Sequence, residues 1–201
     1  MKKLLLFILI IIVTSSLYGC FEGCSLFYSD TAEEGNLYIG INKTANCCYI
    51  GSIDANDGNT DITIPDTYND IPITRIGGYY GRGVPTPFYI DIYELYVNAD
   101  EDSEFTGVVF GPIEDYELDT EYTVEDIQFT LNLGKNIEVI DYVQMNQYFP
   151  HTNDDGSVTF YHPVVYINCS EENEKFYSKD GMLFDKSNDE LITEFEYYKT
   201  N

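Results

Sequence analysis

Two histidines form the residue pair whose spacing most directly suggests chemistry in this 201-residue sequence. His151 and His162 flank residues 153–157, an Asn-Asp-Asp-Gly-Ser stretch that predicts the turn of a β-hairpin. Across the strands of that hairpin the two imidazoles would approach each other, and with Asp154 they would bind a metal ion or shuttle a proton. The competing interpretation is that both are surface residues of a loop. We favour it, because the sequence supplies no further partner.

Enzymatic motifs are missing from the rest of the chain. There is no G-x-S-x-G, no H-E-x-x-H and no phosphate-binding loop of the G-x-x-x-x-G-K-[ST] type. Paired carboxylates could hydrolyse glycosides, but nothing selects one pair among 35 acidic residues. We therefore expect no catalytic residue, no cofactor and a protein that is not an enzyme.

Clustered carboxylates suggest calcium as a ligand. No basic residue lies between Arg82 and Lys135, and acidic runs occupy residues 100–104 and 114–126. Carboxylate oxygens are what calcium requires, yet the EF-hand spacing D-x-[DN]-x-[DN]-G is missing. The favoured interpretation is solvated insertion loops with no metal ligand assigned. A calcium-stabilised structural protein is the alternative.

The N-terminus predicts export from the cytoplasm. Lys2 and Lys3 precede an apolar run at residues 4–13, which is the arrangement of a secretory signal. As a helix this run would rise about 15 Å, roughly half the hydrocarbon thickness of a bilayer. Leu17-x-Gly19-Cys20 resembles the lipobox of bacterial lipoproteins, in which cleavage precedes a cysteine that carries lipid. We predict a signal peptide at residues 1–19 and lipid attachment at Cys20, with plain secretion and an uncleaved anchor as the alternatives.

Export changes how the five cysteines are interpreted. If Cys20 is acylated, the remaining four could form two disulfides outside the cytoplasm or stay as buried thiols. Adjacent cysteines would be strained as a pair, and the three possible pairings remain open. A zinc site is disfavoured, since there is no C-x-x-C. The four are Cys24, Cys47, Cys48 and Cys169.

Composition limits the partners. The formal net charge is −25, and 44% of the residues are hydrophobic. Nucleic acid and anionic membrane surfaces are bound through Lys and Arg, so we expect neither as a partner, and membrane contact only through the N-terminal lipid. The apolar content suits one core. We therefore assign residues 20–35 to a linker after the lipid anchor and residues 36–201 to one domain.

A short strand pattern repeats along that domain. Each instance is apolar-x-apolar followed by a residue that bends or ends a strand, and the instances lie 23 to 36 residues apart. Such intervals favour a solenoid whose strands stack in parallel. An ordinary β-sandwich is the alternative. The instances are Ile39-Gly40-Ile41-Asn42, Ile62-Thr63-Ile64-Pro65, Leu95-Tyr96-Val97-Asn98, Leu131-Asn132-Leu133-Gly134 and Val165-Tyr166-Ile167-Asn168.

Three segments resemble the BspA-type bacterial leucine-rich-repeat proteins. Residues 61–77, DITIPDTYNDIPITRIG, are similar to that family's opening repeat, and residues 130–140, TLNLGKNIEVI, to its next kind of repeat. Residues 177–192 are similar to its Y-S-x-D-G hairpin. The resemblance implies a mainly β fold: a short leucine-rich-repeat-like right-handed β-solenoid with irregular insertions and a C-terminal β-hairpin. It also implies a cell-surface adhesion protein that binds an extracellular protein or glycan.

Strand alternation then predicts the binding face. Ile62 and Ile64 should point into the core while Thr63 points outward, and by the same alternation Tyr96, Asn132 and Tyr166 should share its face. A solvated face of good strand-forming residues would look the same in the sequence. Across the core, Ile73 and Ile76 are three residues apart, which predicts a helical turn. The competing functional class is a small extracytoplasmic enzyme or an accessory lipoprotein for polysaccharide handling.

Overall fold

The computed structural model describes residues 28–80, 84–97, 107–113 and 121–197. This part of the chain is mainly β, with mixed sheets and one short helix, α1 (Tyr93–Tyr96). No helix in these ranges is long and apolar enough to cross a bilayer. The strands are β1 (Tyr28–Glu34), β2 (Leu37–Asn42), β3 (Cys47–Asp54), β4 (Asp61–Ile64), β5 (Thr67–Tyr68), β6 (Ile71–Ile76), β7 (Gly78–Tyr80), β8 (Val84–Thr86), β9 (Tyr89–Asp91), β10 (Val109–Phe110), β11 (Tyr122–Leu133), β12 (Val139–Ile140), β13 (Gln147–Thr152), β14 (Val158–Cys169), β15 (Phe176–Lys179) and β16 (Met182–Asp185).

Three strands of one sheet run parallel in chain order. The order in this sheet is β10-β13-β14-β11-β4, and β4, β11 and β14 are parallel neighbours. Ile62 pairs with Leu131, and Leu131 pairs with Ile167. All three side chains are buried, because the alternation of each strand turns them toward the same side. The repeated sequence pattern therefore predicted these three strands correctly.

The second sheet mixes both directions. Its order is β1-β2-β3-β6-β12, with β5 paired to β6 and β9 to β3. β1, β2 and β3 are antiparallel, whereas β3, β6 and β12 are parallel. The largest buried cluster draws aliphatic side chains from both sheets, including Ile50 and Ile76 from this one and Leu131 and Ile167 from the other. The two sheets thus share one core.

The predicted helical turn at Ile73 and Ile76 is wrong, since both residues lie in β6 and both are fully buried. The register explains their spacing of three. Cys48 pairs with Ile73 and Tyr49 with Arg75, so Thr74 is an extra residue on β6. Such a bulge turns the following residues by one position, so Ile73 and Ile76 can face the same core from one strand.

The predicted strand at residues 95–97 is also wrong. Tyr93–Tyr96 forms α1, and the Val97 N–H donates to the Tyr93 carbonyl where the helix ends. The Asp91 carboxylate accepts a hydrogen bond of 3.0 Å from the Tyr93 N–H, which satisfies a donor at the start of the turn. This bond stabilises the start of α1.

Two sequence boundaries also need correction. The predicted linker at residues 20–35 overlaps β1, whose residues Tyr28–Glu34 pair with β2, so the sheet begins before residue 36. The acidic run at residues 114–126 ends in strand rather than in an insertion loop, because β11 starts at Tyr122. The acidic run at residues 100–104 lies outside the described residues.

The turns that follow the parallel strands are bonded to one another. The Asp66 carboxylate accepts from the Lys135 N–H at 2.7 Å, and the Asn136 side-chain amide donates to the Asp66 carbonyl at 3.0 Å. In the next turn, Asn173 is 1% exposed. Its amide donates to the carbonyls of Gly134 and Ile137 at 3.1 and 2.9 Å.

The Asn173 side chain is saturated. Besides donating two hydrogen bonds, its oxygen accepts from the N–H groups of Lys175 and Phe176 at 2.8 and 2.7 Å. This one amide therefore keeps four backbone groups satisfied, and two of these bonds, to the Ile137 carbonyl and from the Phe176 N–H, are buried, where the loss of a partner is costly.

The predicted C-terminal hairpin is confirmed. β15 and β16 are antiparallel, with Lys179 opposite Met182. Asp180 and Gly181 connect them with φ values of +53° and +79°, which is the geometry of a type I′ turn. The Gly181 carbonyl accepts from the Ile167 N–H at 2.8 Å, so the hairpin turn docks against β14.

Replacing Asn173 by Ala is expected to destabilise the fold strongly. The change leaves two carbonyls and two N–H groups short of a partner, one carbonyl and one N–H of them in buried bonds, at about 1–3 kcal/mol for each buried group that stays unsatisfied. We expect a loss of at least about 3 kcal/mol in the free energy of unfolding by urea. Glu171→Ala, an exposed position in the same turn, is the control and should stay within about 0.5 kcal/mol. Equal stability of the two variants would contradict the role of Asn173.

Candidate functional site

Three of the four residues predicted for the binding face lie on one face of the parallel strands. Thr63 pairs with Asn132, and Tyr166 pairs with Thr130, two residues before Asn132 on the same strand. Residues two apart point to the same side, so Thr63, Asn132 and Tyr166 share a face opposite the core. Thr63 is exposed, and the other two are half-buried. We call these residues, together with Asp61, Thr130 and Asn168, the ladder face.

A hydrogen-bonded row crosses the ladder face. The Asn168 amide donates to the Asn132 side-chain oxygen at 3.0 Å, and the Asn132 amide donates to the Asp61 carboxylate at 2.7 Å. The Asn132 amide also reaches the Ile62 carbonyl at 3.3 Å. These bonds fix the direction of each amide. The row therefore presents ordered polar groups to solvent across three strands.

Asn168 belongs to this face although the sequence pattern assigned it to a turn. The pattern aligned Ile167 with Leu133, but the structure pairs Ile167 with Leu131 and Cys169 with Leu133. The true alignment places Ile-Asn-Cys over Leu-Asn-Leu, with Asn168 beside Asn132. The matching central asparagines were the signal available in the sequence.

Tyr166 marks the side of the ladder face nearest the hairpin. A Cβ atom built on Gly181 would overlap its ring, so the hairpin turn packs directly on the tyrosine. The side chain is half-buried as a result. Its exposed part lies beside Thr130, with which it is paired, and Thr130 is paired in turn with Asp61.

The placement of Tyr96 on the same face is wrong. Tyr96 lies in α1, and the centre of its ring is 4.1 Å from the centre of the Tyr161 ring. Tyr161 and Tyr166 are an odd number of residues apart on an unbroken strand, so they point to opposite faces. Tyr96 therefore packs on the core side. Burial and, after it, the charge of Glu125 raise the pKa of the Tyr161 hydroxyl.

The two histidines do not meet. The predicted hairpin is present, since β13 and β14 are antiparallel and His151 pairs with Thr159. His151 lies on the core side, where its Nδ1 is 2.8 Å from the Tyr96 carbonyl. His162 is an odd number of positions from Thr159 and lies on the opposite face. The hypothesis of a joint site with Asp154 is therefore wrong.

His162 has its own carboxylate partner. Its Nδ1 is 3.2 Å from the Asp126 carboxylate, and its ring stacks on Tyr148 with ring centres 4.6 Å apart. The Nε2 atom is buried and bonds to none of the described residues. A carboxylate at Nδ1 favours the tautomer whose Nε2 carries a lone pair. This is an oriented base, but no described nucleophile lies at Nε2.

Three cysteines are free thiols. Cys47, Cys48 and Cys169 form no disulfide among the described residues, and Cys20 and Cys24 lie outside them. Burial raises the pKa of Cys48 and of Cys169 to about 11 in each case. A thiol with so high a pKa is almost entirely protonated near neutrality, which makes it a poor nucleophile.

Carboxylates in the described ranges do not gather into a metal site. No group of three or more His, Cys, Asp or Glu residues there is arranged to hold an ion. The pKa values of Asp155 and Asp185 are lowered by hydrogen bonds from Ser157 and Ser187, two residues further along each turn. These carboxylates stabilise turns.

Comparison with known proteins gives no match. No protein-family model matches the sequence, and neither the curated proteins nor the solved structures include a significantly similar chain.

Alkylation of Cys169 is expected to be slow in the folded protein and to accelerate on unfolding. With a pKa raised to about 11, its thiolate fraction at pH 8 is on the order of 10⁻³ and rises about tenfold per pH unit up to the pKa. Peptide mass spectrometry after iodoacetamide treatment, with and without urea, measures this. Equal rates in the two states would contradict the burial of the thiol.

Proposed function

We propose that this chain is an exported, non-catalytic binding protein whose ladder face recognises an extracellular protein or glycan. The observation that carries the proposal is the row of side-chain hydrogen bonds from Asp61 through Asn132 to Asn168. Polar groups held in fixed directions on a strand face lose little conformational entropy when a partner binds. Tyr166 adds a rigid amphipathic ring at one side.

We further propose that the three parallel strands are successive coils of a short leucine-rich-repeat-like right-handed solenoid. Two successive coils support this. In the first, β4 is followed by β6, and in the second, β11 is followed by β12. β11 pairs in parallel with β4, and β12 pairs in parallel with β6. The turns after β4, β11 and β14 are bonded in series through Asp66, Asn136 and Asn173. A solenoid of this kind places one strand face outward along its whole length. The resemblance to BspA-type proteins predicts the same architecture and an adhesive role.

An extracytoplasmic enzyme is the second candidate, and the Asp126–His162 pair is the observation that favours it. A general base must reach the proton it removes, directly or through one water molecule. The buried Nε2 of His162 is enclosed by protein, and its ring is covered by Tyr148. Binding through exposed groups of the ladder face requires no such opening, so we place it first.

Export and lipid attachment at Cys20 belong to the same proposal and rest on the sequence alone, since residues 1–27 lie outside the described part. The intact mass of the exported protein tests them. A chain that begins at Cys20 and carries lipid would support the anchor at the membrane or cell surface. An unmodified N-terminus at another residue would contradict it.

Thr63→Arg is expected to weaken binding through the ladder face. Thr63 is exposed beside Asn132, so a long cationic side chain there covers the polar row without entering the core. Against immobilised extracellular-matrix proteins and a panel of neutral oligosaccharides, we expect at least about tenfold weaker binding to any probe that the native chain binds.

The matched control is Tyr142→Arg, which introduces the same charge at an exposed residue after β12. It should bind as the native protein does. Native affinity in Thr63→Arg, or equal losses in both variants, would contradict the assignment of the ladder face.

A further inference from the structure

A second surface with the features of a binding site lies on the other sheet. Four residues form a row across β1, β2, β3 and β9, because each is paired directly with the next. Directly paired residues point to the same face of a sheet. The row is Glu33, Tyr38, Ser52 and Tyr89.

A bulge in β3 shapes this surface. Tyr38 pairs with Ser52 but Ile39 pairs with Ile50, so Gly51 is an extra residue. The extra residue allows Tyr49 and Ser52, three apart, to face the same side. Gly40 completes the floor, since a Cβ atom there would overlap the Tyr49 ring.

The result is a groove between tyrosines. A cavity of about 490 Å³ is lined by Tyr38, Tyr49 and Tyr89, with Gly40, Gly51 and Ser52 at its base. A second cavity of about 360 Å³ shares Tyr89 and continues past Asp91 toward Tyr93 and Phe110. We call the two together the tyrosine groove. Concave sites with aromatic walls and a few polar groups are the usual form of ligand sites.

The charge of the tyrosine groove is negative. Glu33 lines the first cavity and Asp91 the second, and Asp54, which lines neither, pairs directly with Asp91 two residues beyond Ser52 and Tyr89. No Lys or Arg is among the residues that line either cavity. Like charges directly opposite each other destabilise a sheet unless a cation lies between them. The pKa of Tyr38 is raised, most by the negative charge of Glu33, next by burial, and then by the charges of Asp54 and Asp91.

We propose that the tyrosine groove binds the arginine side chain of an extended peptide. A guanidinium group is planar, stacks on tyrosine faces and donates to two carboxylates at once. Tyr38 and Tyr89 supply the faces, Asp91 supplies a carboxylate that lines the groove, and Asp54 is paired directly with Asp91 on the neighbouring strand. This site is separate from the ladder face, which lies on the other sheet, and it does not depend on the function proposed for that face.

The carboxylates can be neutralised without loss of their structural bonds. One oxygen of Asp54 accepts from the Asn56 N–H at 3.0 Å, and one oxygen of Asp91 accepts from the Tyr93 N–H. Asn keeps an oxygen at each position, so Asp54→Asn with Asp91→Asn removes charge while the turns keep their acceptors. The control pair Glu121→Gln with Glu171→Gln removes the same charge from exposed residues elsewhere.

The experiment is an NMR titration of the ¹⁵N-labelled exported protein with the single-arginine peptide acetyl-Gly-Arg-Gly-amide. Its citrulline counterpart has nearly the same shape without the charge. We expect saturable shifts of the Gly40 and Gly51 amides with the arginine peptide, and affinity at least about tenfold lower for the citrulline peptide and for the double Asn variant. Tyr38→Ala should weaken binding about threefold. The Gln control should bind as the native chain does.

Several results would overturn the proposal. These are equal affinity for the citrulline peptide, native affinity in the double Asn variant, an equal loss in the Gln control, or saturable shifts at Gly40 and Gly51 with maltotetraose but not with the arginine peptide. Unchanged amide shifts outside the groove show that each variant is folded, so a loss of binding is not a loss of structure.

Discussion

The in-register parallel pairing of β4, β11 and β14 is the constraint on which the rest of the structure depends. A shift of one residue in any of these strands would move its aliphatic side chains out of the core and its polar side chains into it. The observed register stacks Ile62, Leu131 and Ile167 inside and Thr63, Asn132 and Asn168 outside. The same register therefore determines which residues enter the core and which form the ladder face.

That register is held at its ends as well as along the strands. Parallel strands leave backbone groups unpaired where each chain turns away, and burial of such groups is costly. Asn173 satisfies four of them, and the Asp66 carboxylate accepts the N–H of Lys135 in the neighbouring turn. On the side of β14 away from β11, beyond the residues paired with β13, the carbonyls of Gly181 and Glu196 accept from the N–H groups of Ile167 and Val165. These contacts at the ends and the side of the stack oppose slippage.

Strand alternation was readable in the sequence where a turn residue followed it directly. Pro65 and Gly134 end β4 and β11 at the expected positions, so Thr63 and Asn132 were placed correctly. For β14 the pattern was aligned two residues away from the true register. Tyr166 was nevertheless placed on the correct face, because a shift of two residues preserves the face.

The errors came from interactions that no short pattern contains. Residues 95–97 share the apolar-x-apolar form, but Tyr93–Tyr96 forms a helix whose first N–H donates to the Asp91 carboxylate. Ile73 and Ile76 have helical spacing because of a bulge at Thr74. A similar bulge at Gly51 brings Tyr49 and Ser52 to one side. Bulges depend on the partner strand, so the tyrosine groove was not visible in the sequence.

The most direct test of the central claim is the pattern of nuclear Overhauser effects between backbone protons of β4, β11 and β14. The parallel, in-order register predicts contacts that link Ile62 to Leu131 and Leu131 to Ile167, and that advance in the same direction along all three strands. Short contacts between opposing Hα protons, which are typical of antiparallel pairs, or contacts between β4 and β14 without β11, would contradict it.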